Sequence, residues 1–317
     1  MKQIRPLILV LLPLIVGLGL YYVYWRDGAD QFAATVAEVT GTRPALSGFP
    51  YSIRGDLPEV DLAFGEDARV DIDAGHSEVS RGPFRPELVI AAMRDFQAEA
   101  AAGPLAAARV AITAPFARAS IRAGDYVERI SLVADVAELS GPLAPDGIDA
   151  RNLQIHFRET PAEGAANQVT GPGQANLRIS GLFDLGGDRL LRAVIPATLT
   201  GDAPLRSLAG WRDGGTLEID GGLLLGEDEA PLAGFDATLA ALLGGEIALA
   251  GTVTTDCPLT IRWLIGGEAR PAEEFRRRNP AQFALSGTLA NVQLVERETP
   301  SGGLVRSREP PCPDLRR

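Results

Sequence analysis

The chain has 317 residues, 46% of them apolar, 6% aromatic and 22% charged, which is too apolar for disorder and enough for one large domain or two modest ones. Thirty-five Gly and 23 Pro favour many turns and short strands over long helices. Forty-one acids against 30 bases leave a net charge of −11, which repels phosphate backbones and speaks against nucleic acid as a partner.

The first element in the chain is an uncharged run of 20 residues from Pro6 to Trp25. At about 1.5 Å per residue, a helix of that length covers the roughly 30 Å hydrocarbon core of a bilayer. Lys2 and Arg5 precede the run and Arg26 follows it, so the positive-inside rule keeps the N-terminus cytoplasmic and sends the remainder across. Tyr21, Tyr22, Tyr24 and Trp25 crowd the outer end, where amphipathic rings favour the headgroup layer. A cleaved signal peptide needs a shorter apolar core and small residues at the cleavage site, and no Ala-x-Ala follows Leu20, so an uncleaved anchor is expected. Asp30 to Val39 then reads as a short amphipathic helix with Phe32, Val36 and Val39 at helical spacing, closed by Gly41. Its simplest role is a plain stalk.

Beyond Gly41 the dominant pattern is alternation, which puts successive side chains on opposite faces of a strand. Val60, Leu62 and Phe64 recur at every second position beside the acids Glu59 and Asp61, and Leu153, Ile155 and Phe157 alternate with Asn152, Gln154, His156 and Arg158. Val70 and Ile72, Leu177 and Ile179, Leu217 and Ile219, Ile247 to Val253, and Phe283 to Leu289 continue it. Strands with one dry and one wet face belong to antiparallel sheets. A loose template with Gly at its fifth position recurs around Gly55, Gly141, Gly181, Gly201, Gly251 and Gly287 without a fixed period. Such glycines would bend successive strands and curve the sheet into an apolar groove; the abundance of Gly also produces the template by chance, and both readings stay open.

Helices are expected to be few. Pro204 to Trp211 and Pro271 to Arg278 each open with Pro in the first turn. Leu88 to Ala102, rich in Ala with Met93 and Phe96, reads either as a strand followed by a helix or as one helix. Thr160 to Gly173 is a Gly- and Pro-rich loop suited to a boundary between lobes. The expected fold class is mainly β: a transmembrane helix, then an elongated, curved, largely antiparallel sheet with a few short helices. Its divisions are an anchor over 1–26, a short helix over 27–41, a first β lobe over 42–160, a linker over 161–173, a second β lobe over 174–295 and an extended tail over 296–317.

Two cysteines, Cys257 and Cys312, in a chain expected outside the cytoplasm point to one disulfide, with two free thiols as the alternative; two thiols alone cannot build a structural zinc site. No phosphate loop, dinucleotide fingerprint, zincin helix or nucleophile elbow is present, so no enzyme and no cofactor are expected. Asp71, Asp73 and His76 resemble an incomplete cation site but suit a solvated strand edge better. His156 reads as a surface histidine, and Glu227 to Glu229 as a charged turn. Arg276, Arg277 and Arg278 at the end of a short helix complement its dipole, with contact to anionic lipid headgroups as the functional alternative.

Gly48-Phe49-Pro50-Tyr51, then Phe84-Arg85-Pro86-Glu87-Leu88-Val89-Ile90-Ala91, then Arg118-Ala119-Ser120-Ile121-Arg122 resemble the landmarks of an uncharacterised alphaproteobacterial envelope family, domain-of-unknown-function family 2125. Glu87-Leu88 departs from the more polar pair of that pattern. The resemblance implies a membrane-anchored, β-rich periplasmic protein without established activity or catalytic residues, and it implies strand rather than helix over Leu88 to Ala91. At the level of fold, the Gly-punctuated strands also resemble AsmA-like envelope proteins, an analogy that carries no function by itself. The leading expectation is a non-enzymatic protein in the inner membrane, single-pass, with the N-terminus cytoplasmic. It would hold lipid or another hydrophobic molecule on a groove that includes Leu177, Ile179, Ile247, Leu249, Phe283 and Leu285. The alternative is a structural module that docks other envelope proteins through sheet edges or its acidic surface.

Overall fold

A computed structural model describes the chain apart from residues 1–3, 65–67, 103–104, 124–126, 142–143, 161–174, 187–188, 201–214, 227, 243–245, 267, 290, 298–309, 314 and 316–317, and it leaves side chains undescribed over 4–14 and beside several of these gaps. The expected helix at Pro204 to Trp211 and the loop of 161–173 therefore lie outside the described residues.

Alternation produces strands, and the sheet they form is continuous. α1 (Ile4–Thr40) is followed by β1 (Ala45–Ser47), β2 (Ile53–Leu57), the hairpin β3 (Val60–Phe64) and β4 (Ala68–Ala74), then β5 (His76–Gly82). Four long strands come next: β6 (Arg85–Ala102), β7 (Leu105–Ala123), β8 (Val127–Gly141) and β9 (Ala144–Glu159). The later strands are β10 (Ala175–Asp184), β11 (Leu190–Thr200), β12 (Thr216–Leu225), β13 (Pro231–Ala241), β14 (Ile247–Thr255), β15 (Ala281–Thr288) and β16 (Asn291–Arg297), with α2 (Pro258–Gly266) between β14 and β15. The sheet runs β1-β2-β5-β6 and then in chain order to β16, every pairing antiparallel. β4 also pairs with β6, so β4 and β5 line one edge of that strand in succession and turn at Gly75. β9 pairs with β10, so the strands on either side of residues 161–173 share one sheet.

A crease crosses the long strands. Pairing between β6 and β7 omits Asp95 and Pro115, that between β8 and β9 omits Asp135 and Asn152, and β10 shifts register against β9 around Gly181. Each residue suits its place: Asp95 and Asn152 hold positive φ of 51° and 52°, which Asp and Asn tolerate better than most residues, and Pro115 has no N–H to offer a ladder. The crease inserts a residue into the alternation, so buried positions three apart face the same core: Met93 and Phe96, Ala114 and Ala117, Ala134 and Ala137, Ala150 and Leu153. Of the Gly template, Gly181 lies on this crease, whereas Gly251 serves a close approach, where an added Cβ would stand 2.3 Å from the Asp236 carbonyl oxygen. The recurrent bends belong mainly to Asp, Pro and Asn.

Three helix expectations are corrected. Leu88 to Ala102 is strand throughout, inside β6. The helix expected at Pro271 to Arg278 is irregular chain, and the helix forms instead at Pro258–Gly266, where Leu259 N and Thr260 N donate to the Glu274 carboxylate at 2.8 Å each and Thr260 Oγ1 adds a third bond. An acid at this end satisfies orphan donors and opposes the helix dipole. The short helix expected over Asp30 to Val39 is the second half of α1, which runs unbroken until Gly41 turns it off at φ +69°. That half is no stalk: Trp25, Ala29 and Phe32 are buried against Ile53, with Val79 and Val89 packed beside them.

Candidate functional site

Register, more than any single residue, builds the site. Directly paired residues of neighbouring strands project to the same face, so a chain of partners traces a row across the sheet. One row reads Val89, Ile121, Ile130, Phe157, Leu177 and Ala197 on β6 to β11, and continues as Ile219, Ala237, Gly251, Leu285 and Leu294 on β12 to β16. No charge interrupts it over eleven strands. A parallel row of Ala91, Ala119, Leu132, Ile155, Ile179 and Ile195 lies toward the crease.

All six residues expected to line a groove lie on this face. Leu177 and Leu285 belong to the long row, Ile179 to its neighbour, and Ile247, Leu249 and Phe283 stand an even number of positions from row members on β14 and β15. Their surroundings differ. Phe283 is 1% exposed in a core with Val253, Ile261 and Cys257, and Leu285 packs beside it. Ile179 packs against the crease core, and Leu177, Ile247 and Leu249 are half-buried.

The row is covered at its two ends. Val89 lies under α1, while Leu285 and Leu294 pack against the cluster that α2 supplies with Ile261 and Leu264. Between them, Ile121 is 39% exposed and Ile130, Phe157, Leu177 and Ile219 are half-buried. Among the described residues these five join none of the buried clusters. The arrangement is an apolar strip with capped ends and a half-buried stretch between them, in which Ile121 is exposed and Ala197 and Ala237 are buried.

The other face at the same strands is basic. His156 pairs directly with Ser131 and Arg178, and its Nδ1 lies 2.9 Å from Ser131 Oγ. A cavity of about 750 Å³ is lined there by Arg122, Arg129, Arg158, Arg178 and His156, with Glu128 and Asp220 as its acids and with Phe157 and Leu177 of the row. Burial, and then Arg129 and Arg178, hold the imidazole below its usual pKa. Sequence reading missed this gathering because the four arginines are scattered over 57 positions and meet only through register.

The remaining candidates separate. Cys257 and Cys312 form a disulfide with Cα atoms 6.0 Å apart, and it ties the segment around Cys312 to the start of α2. Glu274 lies beside these sulfurs, but their bond leaves no thiolate to bind a metal. Asp71 binds Arg69 Nε at 2.7 Å, and among the described residues Asp71, Asp73 and His76 do not converge on one point. Arg276 donates to the Pro231 carbonyl at 2.6 Å and lies 3.7 Å from Asp256, and Arg277 is 3.9 Å from Glu296, so both are engaged within the fold.

No protein-family model, curated protein or solved structure matches the chain. The likeness to family 2125 rests on the quoted residues alone. Two of those landmarks, Gly48 to Tyr51 and Phe84 to Pro86, come together in space beside α1: Phe49 lies 5.3 Å from Tyr22 and Phe84 lies 5.9 Å from Tyr24, centroid to centroid. Among the described residues no helix is long and apolar enough to cross a membrane; the side chains of 1–14, which include much of the uncharged run, are outside that set.

Proposed function

We propose that this chain is a non-enzymatic envelope protein, anchored in the inner membrane by residues 6–25 with its sheet outside the cytosol, and that the sheet holds lipid or another elongated hydrophobic molecule on its apolar face. The unbroken apolar row from Val89 to Leu294 carries this reading. A strip whose ends are capped by helices and which is half-exposed at Ile121, Ile130, Phe157, Leu177 and Ile219 suits a flexible acyl chain, and burying its exposed part gains about 25 cal/mol per Å² of apolar surface removed from water. Export agrees with the disulfide, since such bonds persist in oxidising compartments.

Purification of the full chain in mild detergent, solvent extraction and mass spectrometry test the proposal. Lipid should accompany the wild-type protein at a constant ratio and fall several-fold in the double variant Ile130→Glu/Leu177→Glu. Equal lipid in both, or none in either, contradicts it.

A second reading, a module that docks another envelope protein by strand addition, is favoured by one feature. Among the described residues β16 pairs only with β15, and Val295 on it is 57% exposed, so among them this sheet edge has no further strand. Loss of a co-purifying protein, rather than of lipid, on Val295→Pro would support it.

A further inference from the structure

The rings of Tyr21, Tyr22, Tyr24 and Trp25 on α1 do not stand alone. Phe49, from the turn after β1, lies 5.9 Å from Tyr21, 5.3 Å from Tyr22 and 5.5 Å from Trp25, and Phe84, from the turn after β5, lies 6.1 Å from Tyr21 and 5.9 Å from Tyr24. Hydrogen bonds fix both turns to the helix: the Tyr21 hydroxyl donates to the Pro50 carbonyl, Tyr24 Oη to the Pro83 carbonyl at 3.2 Å, and Trp25 Nε1 to the Ser52 carbonyl at 2.8 Å. The result is a collar of aromatic rings at one level of α1.

Apart from Trp25, which is buried at its inner side, this collar faces outward. Tyr51 is 88% exposed and Phe84 71%, and the helix just N-terminal to the collar exposes Ile15, Val16, Leu18 and Leu20. The patch is therefore continuous with the uncharged run of 6–25, and Arg26 and Arg85 stand exposed at its border. Clustered exposed rings are unfavourable in water but favoured in the headgroup layer, where a ring has one apolar and one wet side. Arginines at the rim suit anionic headgroups.

We propose that the turns of 48–51 and 82–85 are inserted in the headgroup layer of the membrane that holds α1, so that the sheet is seated on the bilayer by three points of contact. The proposal rests on the reading of 6–25 as an anchor. It adds an orientation: because α1 continues without a break into the packed half that covers Val89, the β6 end of the apolar row lies against the membrane, where a hydrophobic molecule passes between bilayer and sheet.

Tryptophans introduced one at a time into the full chain, as Leu18→Trp, Tyr51→Trp and Phe84→Trp, test this in vesicles of phosphatidylethanolamine and phosphatidylglycerol carrying brominated acyl chains. The added fluorescence is obtained by difference from wild type, and far-ultraviolet circular dichroism verifies the sheet. Quenching at all three positions, deeper at 18 and shallow at 51 and 84, is expected. Quenching at 18 alone overturns the seating while leaving the anchor intact; no quenching at 18 overturns the anchor and the seating with it. A blue shift at 51 and 84 without quenching, which means burial against a second copy or another protein, also overturns the seating.

Discussion

Met93 and Phe96 stand three residues apart in one strand, yet both point into the same core at 8% and 3% exposure. The residue that makes this possible is Asp95, held at φ +51° opposite the turn at Gly75. A β-branched residue in that left-handed conformation costs about 1–2 kcal/mol. Asp95→Val is therefore expected to lower stability by about that amount, and Asp95→Gly or Asp95→Asn to be nearly neutral. Urea unfolding of the full chain in detergent, followed by the strand signal in circular dichroism, measures the difference.

Phe32 joins the helix to the sheet. Its ring is 3% exposed and carries the Arg81 guanidinium at 5.0 Å, whose terminal nitrogen donates to the Gly28 carbonyl. Burial pushes the Arg81 pKa down, so the guanidinium, still charged at any ordinary pH, relies on that bond and that ring. Phe32→Ala is expected to cost about 3–5 kcal/mol, and to expose Gly41 and its neighbours to limited proteolysis before the sheet unfolds.

The disulfide closes a loop of 55 residues and holds a segment that the core uses: Leu315 is 1% exposed, and its carbonyl accepts from Leu190 N at 2.9 Å. Cys312→Ser is expected to lower stability by about 2–4 kcal/mol. Non-reducing and reducing thermal melts of the wild type should differ in the same direction, and those of the variant should coincide.

His156 gives the chain a pH dependence with a definite sign. Its folded pKa lies below the ordinary value of about 6.5, so between the two values the unfolded state binds more protons and stability falls as pH falls. The contribution is fully present above about pH 6.5 and is lost as pH drops through the folded pKa. His156→Gln should flatten the slope of stability against pH below neutrality, and an NMR titration of the imidazole should place its midpoint below that of a free histidine.

The mainly β architecture was legible wherever strict alternation survived, as at Leu153 to Phe157 and Ile247 to Val253, and the cysteine pairing agrees with an even count of two. β6 was not, because the crease spaces Met93 and Phe96 by three and so imitates helical periodicity in an Ala-rich stretch. The rule of Pro in the first turn was sound but applied to Pro271 rather than Pro258; after Pro258, Ile261 and Leu264 repeat at helical spacing, and after Pro271 only Phe275 is large and apolar. The apolar face was visible in pieces such as Leu177 and Leu285, but their membership of one row depends on nonlocal register. The arginine cavity depends on it entirely.

Ile121 and Ser120 are neighbours on β7 that face opposite sides of the sheet, the first on the apolar row and the second away from it. A photo-reactive phenylalanine analogue placed at each position of the full chain, mixed with lipid vesicles, tests the central claim most directly. Illumination should yield lipid adducts, identified by mass, at Ile121 and few or none at Ser120. Adducts of equal yield at both positions, or none at Ile121, would contradict a lipid-bearing face.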